Sequence, residues 1–275
     1  MLYHHSAPAV SDTQSEAYRF VQQIFKHSPL KREKFRMLQK CLPSELSGKN
    51  LCDIGGDSGV VSFKLRQLGG KWSSLDLIDE AVESIRVMVG ERVFKLEAER
   101  LPLADKSMDY ILVVDMLEHV KDDKAFVSEI DRVLKDSGEL IVNVPNPKNG
   151  ILRWFRHQIG QTDEAHGHLR PGYTGEQLTE LLAPHFDITR SYSYSRLFAQ
   201  LVDTVINGGL TLLKAAKGGK KGNLVTPSTL QRAKKNSLIL GLVGPLLSMA
   251  IVLDTLFPFT HGGMLIVKAK RRVKF

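Results

Sequence analysis

Between Leu51 and about Ser193 the chain alternates between two rhythms, short apolar runs of strand length and segments whose apolar residues recur at helical spacing. The runs predict strands near 50–54, 71–76, 92–96, 108–114, 138–144 and 186–192, and the spaced segments predict helices near 59–68, 79–89, 123–134 and 174–183. Such alternation implies an α/β fold, a parallel sheet covered on both faces. The unbroken run Tyr110 to Val114 suits a central strand buried on both sides. Ahead of this region, Ser11 and Gln14 stand in capping-box spacing before Ala17, Phe20, Val21, Ile24 and Phe25 on one helical face, and a second helix is predicted over Lys31 to Leu42. The pattern divides the chain into an N-terminal helical cap (1–47), the α/β core (48–196), an apolar and basic helical insertion (197–262) and a last strand with a basic tail (263–275).

In a doubly wound sheet the ligand sits beyond the carboxyl ends of the strands, so the residues just after each strand carry the chemistry. After the first strand comes LCDIGGDSG, with Asp53 at the strand end, Gly55, Gly56 and Gly59 in the turn, and Asp57 among them. A dinucleotide site needs G-x-G-x-x-G, its amides and helix N-terminus facing two phosphates. Here Asp57 stands where that spacing wants its second glycine. Carboxylates at 53 and 57 would repel a pyrophosphate by about 1 kcal/mol or more per close pair, so a ligand with a cationic end fits better.

The stretch resembles the first motif, D-h-G-x-G-x-G, of class I S-adenosylmethionine-dependent methyltransferases of the small-molecule, type 11 kind. The resemblance runs in order through residues 48 to 195 or so, and the cofactor it implies is S-adenosylmethionine, whose ammonium and sulfonium account for an acid at Asp53. In SSLDLIDEAVESI, Asp76 would accept from both ribose hydroxyls, with Leu77 beside it. In LEAERLPLADKSMDYILVVDMLEHV, Glu97 would take the adenine amino group, Ala98 would offer its backbone amide, and Asp115 would border the cofactor after the fourth strand. RVLKDSGELIVNVPNP resembles the helix, turn and fifth strand that follow, HLRPGYTGEQLTELL the segment before the sixth, and MLIVKAK the seventh, antiparallel strand. The implied fold is a Rossmann-like, doubly wound, mostly parallel seven-stranded sheet. Asp57 departs from the family, which places glycine there so that the backbone can approach the methionine moiety; Asp tolerates positive φ better than most residues. It either competes with the cofactor's carboxylate or caps the next helix at its amides.

Methyl transfer from a sulfonium asks an enzyme mainly for alignment and desolvation, with a base only where the acceptor must lose a proton. Candidate bases are His119 in DMLEHV and His168 in EAHGHLRPGYT, with His166 and Tyr173 beside the latter. The tripeptide L-E-H is widespread in the family, so a structural role for His119 at a helix start stands against the catalytic one. Asp115, Glu118 and His119 also resemble the metal-binding E-x-x-E-H cluster of ubiquinone-type O-methyltransferases; with Asp at the first position, no metal is expected.

Charge and composition narrow the acceptor. The net charge of +8 is uneven: from Arg190 onward 14 Lys or Arg face two acids, whereas the first 189 residues hold 24 against 28. The basic tail lacks interleaved aromatics, the [DN]-P-P-[YF] motif of nucleic-acid and protein amino-methylating enzymes is missing after the fourth strand, and Cys52 lies upstream of the turn, so no nucleic-acid partner is expected. Cys41 and Cys52 cannot make a disulfide framework, and MLYHHSAPAVSDTQ shows no signal-peptide pattern, which points to the cytoplasm. Between the sixth and seventh strands some 65 residues replace a short hairpin, two apolar segments flanking KAAKGGKKGN and RAKKN. The uncharged run Ser237 to Leu253, 17 residues interrupted by Gly241, Gly244 and Pro245, is at the lower limit for a membrane span. The insertion is a soluble lid, a membrane-surface element or a two-span hairpin, and lysines beside apolar faces favour anionic headgroups at the inner face of the membrane. The function expected is methyl transfer to a small, amphipathic or lipid-like acceptor; the alternatives are a non-catalytic S-adenosylmethionine-binding module and an RNA methyltransferase.

Overall fold

The computed structural model describes residues 19, 25–26, 28–56, 58–97, 100–147, 168–196, 198–202, 204, 244–254, 256 and 262–272. Seven strands form one sheet: β1 (Asn50–Ile54), β2 (Lys71–Asp76), β3 (Val93–Lys95), β4 (Met108–Val114), β5 (Leu134–Pro145), β6 (Phe186–Tyr194) and β7 (Met264–Arg271). Their spatial order is β3-β2-β1-β4-β5-β7-β6, and β7 alone runs antiparallel, hydrogen-bonded to β5 on one side and β6 on the other. This is the doubly wound, mostly parallel sheet expected from the sequence, with its strand order reversing between β1 and β4.

Burial explains why the central strands read as unbroken apolar runs. Cys52, Ile54, Ile111, Val113, Leu140 and Val142 pack into a core on one face, while Leu51, Leu112, Val114 and Ile141 pack into a second core on the other. Helices cover both. Phe126 and Ile130 of α4 (Asp123–Val133) enter the first core, and Met37 and Leu38 of α1 (Pro29–Cys41) enter the second together with Val61 and Leu65 of α2 (Val60–Arg66). α3 (Asp79–Val89) and α5 (Gly175–Leu182) complete the alternation.

Three boundaries differ from the pattern-based reading for local reasons. α1 begins two residues before Lys31 because Ser28 accepts from the Lys31 amide and Pro29 occupies the first turn, where its missing N–H costs nothing. α2 stops at Arg66 rather than near 68, where Gly69 and Gly70 both take positive φ (91° and 81°). β5 starts at Leu134, ahead of Gly138, since it pairs with Met108 on β4. The predicted helix around Phe20 lies outside the described residues except for Arg19 and Phe25, which are helical; the Phe25 ring meets Phe35 edge-on at 5.6 Å.

Candidate active site

The carboxyl ends of β1, β2 and β4 lie side by side because the strands pair in parallel register, Ile54 opposite Leu75 and Val113. Gly55 makes the first turn possible. Its amide donates to the Leu75 carbonyl at 2.9 Å, its φ is +92°, and a Cβ there would lie 2.1 Å from the Val114 carbonyl oxygen. Gly59, at φ +76°, leads into α2 and donates to the Gly56 carbonyl at 2.9 Å. Asp57 and Ala98 lie outside the described residues.

Asp53 was expected to face a cationic ligand. It is instead 2% exposed, and its carboxylate is engaged inside the protein: it accepts from Ser62 Oγ (2.5 Å) and Ser74 Oγ (2.7 Å), with Arg66 Nη1 at 3.6 Å. Burial pushes its carboxyl up, while Arg66 and the two hydroxyls pull the other way. The charge therefore stands beneath the glycine turn, tying β1 to β2 and α2. Gly56 leaves room for this network, since a Cβ there would sit 2.4 Å from Ser62 Oγ. Asp76 ends β2 at 4% exposure and accepts from the Ile78 amide at 3.2 Å. Leu77 is half-buried against the core, and Glu97 is exposed, its backbone carbonyl accepting from the Arg100 amide at 3.3 Å.

Asp115, one residue past β4, takes a left-handed φ of 48°, a conformation in which Asp is enriched. Its carboxylate pairs with Lys34 of α1 and accepts from Asn143 Nδ2 at 2.7 Å, and Asn143 Oδ1 in turn accepts from Tyr194 OH at 2.6 Å. Lys34, Asn143 and Tyr194 escaped the sequence reading. Asn143 carried a faint signal, a polar residue inside the apolar run LIVNV; Lys34 is one of several cations on its helix and carried none.

A short 3-10 turn, Leu117–His119, follows. Glu118 is fully buried, and among the described residues no other residue's donor reaches its carboxyl oxygens. Burial, and next the Asp115 charge, push its carboxyl up to about 8. His168 comes to this turn from the β5–β6 connection, because the Leu169 amide donates to the Glu118 carbonyl at 3.0 Å, and the His119 and His168 rings meet edge-on at 4.8 Å. The two candidate bases, far apart in sequence, are thus neighbours. Among the described residues, Glu118, His119 and His168 could approach one cation, with ligand atoms within 4.8 Å of one another; Asp115 is held by Lys34 and Asn143. Tyr173 is not placed as a base: its hydroxyl donates to Asp123 Oδ2 (2.8 Å) and accepts from Arg170 (2.5 Å), and burial raises its pKa. His166 lies outside the described residues.

A seven-stranded sheet with one antiparallel strand, carrying a glycine turn after β1 and an acid at the end of β2, is the Rossmann-like fold of class I S-adenosylmethionine-dependent methyltransferases. Residues 52–142, from within β1 to within β5, match the sequence family described as Methyltransferase domain. A ubiquinone biosynthesis O-methyltransferase of Xanthomonas oryzae pv. oryzae is 30% identical over 109 residues, 37% of this chain and 45% of that protein. One from Idiomarina loihiensis is 28% identical over 116 residues, 40% of this chain and 47% of that protein. The chain thus spans about half the length of these curated relatives. Among solved structures, a putative methyltransferase from Bacillus halodurans aligns with a TM-score of 0.55 at 16% identity, covering 88% of this chain and 100% of that one. Phosphoethanolamine N-methyltransferase 2 of Haemonchus contortus, solved in complex with S-adenosyl-L-methionine, aligns with a TM-score of 0.57 at 16% identity, covering 94% of this chain and 57% of that one. These structures share the fold.

Proposed function

We propose that the protein transfers a methyl group from S-adenosylmethionine to a small, amphipathic or lipid-like acceptor. The observation that carries this reading is the match of residues 52–142 to a methyltransferase domain, a region that holds the Gly55 turn, Asp76 and Asp115 at adjoining strand ends. Bound there, the cofactor would supply an electrophilic methyl carbon on a sulfonium. Asp76 accepts from the ribose hydroxyls, and the Gly55–Gly59 turn lets the backbone approach the methionine moiety. Asp53 would act through its field from beneath that turn, and Leu77 and Glu97 would border the adenosine. Asp115 borders the cofactor on the β4 side. His119 and His168 stand beside the protonated Glu118, where an acceptor's proton can be taken up.

Calorimetry tests the cofactor half of this reading. Asp76→Ala should weaken S-adenosylmethionine binding by roughly 2 kcal/mol or more, through two lost charge-assisted hydrogen bonds. Unchanged affinity would remove Asp76 from the site. The acceptor is to be sought by mass spectrometry of lipid and polar extracts incubated with the protein and methyl-labelled cofactor.

A further inference from the structure

Helical residues 244–254, with Leu256 beyond them, lie in the insertion before β7. Their inward face is ordinary: Leu247, Ala250 and Asp254 are buried, and Asp254 accepts from the amides of Phe198 (2.8 Å) and Ala199 (3.1 Å). The outward face is not. Every described residue that is exposed on this helix is apolar: Pro245, Leu246, Met249, Val252 and Leu256, the last four between 54% and 67% exposed. A surface helix of a water-soluble protein carries charge on its outer side, whereas an apolar outer stripe marks a surface that meets something apolar.

Charge says what that is. Beside the stripe stands α1, whose Arg32 donates to Ser248 Oγ at 3.3 Å and whose Arg36 follows one turn later, both exposed, while Glu33 between them is buried. Asp254 is spent on capping and only 4% exposed. The whole insertion, 197–262, holds seven Lys or Arg against Asp203 and Asp254. Apolar side chains flanked by cations match the acyl and headgroup layers of an anionic bilayer, whereas a protein partner would ask for no such excess of one sign. From this face we infer that the protein docks on an anionic lipid surface, with Leu246, Met249, Val252 and Leu256 inserted and Arg32 and Arg36 at the headgroups. Among the described residues no helix is long and apolar enough to cross a membrane. The same α1 sends Lys34 to Asp115, which sets the lipid face and the candidate site on one helix. The inference extends the proposed acceptor class, yet it stands on the surface alone.

The test is sedimentation of the full chain with phosphatidylcholine vesicles, with and without an equal share of phosphatidylglycerol. The parent should sediment with the anionic vesicles, and added salt should remove part of that binding but not all, because salt screens headgroup attraction and leaves apolar insertion. Leu246→Gln/Met249→Gln/Val252→Gln should lose about tenfold or more on either vesicle type. Arg32→Gln/Arg36→Gln should lose about five-fold per arginine on anionic vesicles only. Circular dichroism and S-adenosylmethionine binding on the same preparations check folding, and keep a failure here distinct from a failure of the methyltransferase reading. Monodisperse parent that sediments with neither vesicle, or a triple glutamine variant that sediments like the parent, overturns the inference. So does light scattering that finds a dimer which the triple variant splits, without vesicle binding.

Discussion

Glu118→Gln isolates one buried carboxyl. In the folded chain Glu118 titrates near 8, against 4.5 for an ordinary glutamate, because it is wholly buried and Asp115 lies close. Below pH 4.5 it is protonated in both states. Between 4.5 and 8 the unfolded chain has lost the proton while the folded chain keeps it, so unfolding releases a proton and stability falls as pH rises. The slope is about 1.4 kcal/mol per pH unit and the full span amounts to roughly 5 kcal/mol. Glutamine keeps the shape and the neutral charge but cannot titrate. Urea unfolding of parent and variant at intervals from pH 5 to above 8 should therefore give curves that diverge, the parent losing about 4 kcal/mol relative to Glu118→Gln across that range. Groups common to both proteins cancel in the difference. Parallel curves would refute the reasoning, since they would mean that Glu118 is already ionised in the fold and finds a donor.

Lys34→Gln removes the cation paired with Asp115, which leaves the Asp115 charge to act on Glu118 uncompensated; the pH at which the parent curve flattens should move upward in the same urea series. Gly55→Ala forces a left-handed φ on alanine and drives its Cβ toward the Val114 carbonyl, so it should cost about 3 kcal/mol or more in unfolding free energy. Gly48→Ala is its control: φ is +71° but nothing lies within 4 Å of the added carbon, and the cost should be about 1 kcal/mol. Equal costs at the two glycines would show that the approach of the β1 turn to β4 is looser than described.

The sequence by itself determined the class of fold. A strand buried on both faces must be apolar throughout, and a covering helix must be apolar at helical spacing, so the alternation of the two periods could be read without a third dimension. The turn after β1 was legible for the same reason: Gly55 and Gly59 take the positive φ that favours glycine. What the sequence could not determine is which way a side chain turns and what it meets. Asp53 looked like a ligand acid, yet it points inward to Ser62, Ser74 and Arg66, partners 9, 21 and 13 positions away that the packing of α2 and the parallel pairing of β2 with β1 bring together. His119 and His168 became neighbours because the Leu169 amide bonds to the Glu118 carbonyl and the Arg170 guanidinium to those of Val120 and Lys121, and Lys34, one cation among several on its helix, was singled out by docking on Asp115. The apolar outer stripe at 246–256 likewise depended on tertiary structure, because so apolar a run shows its exposed side only once Leu247, Ala250 and Asp254 have been packed inward.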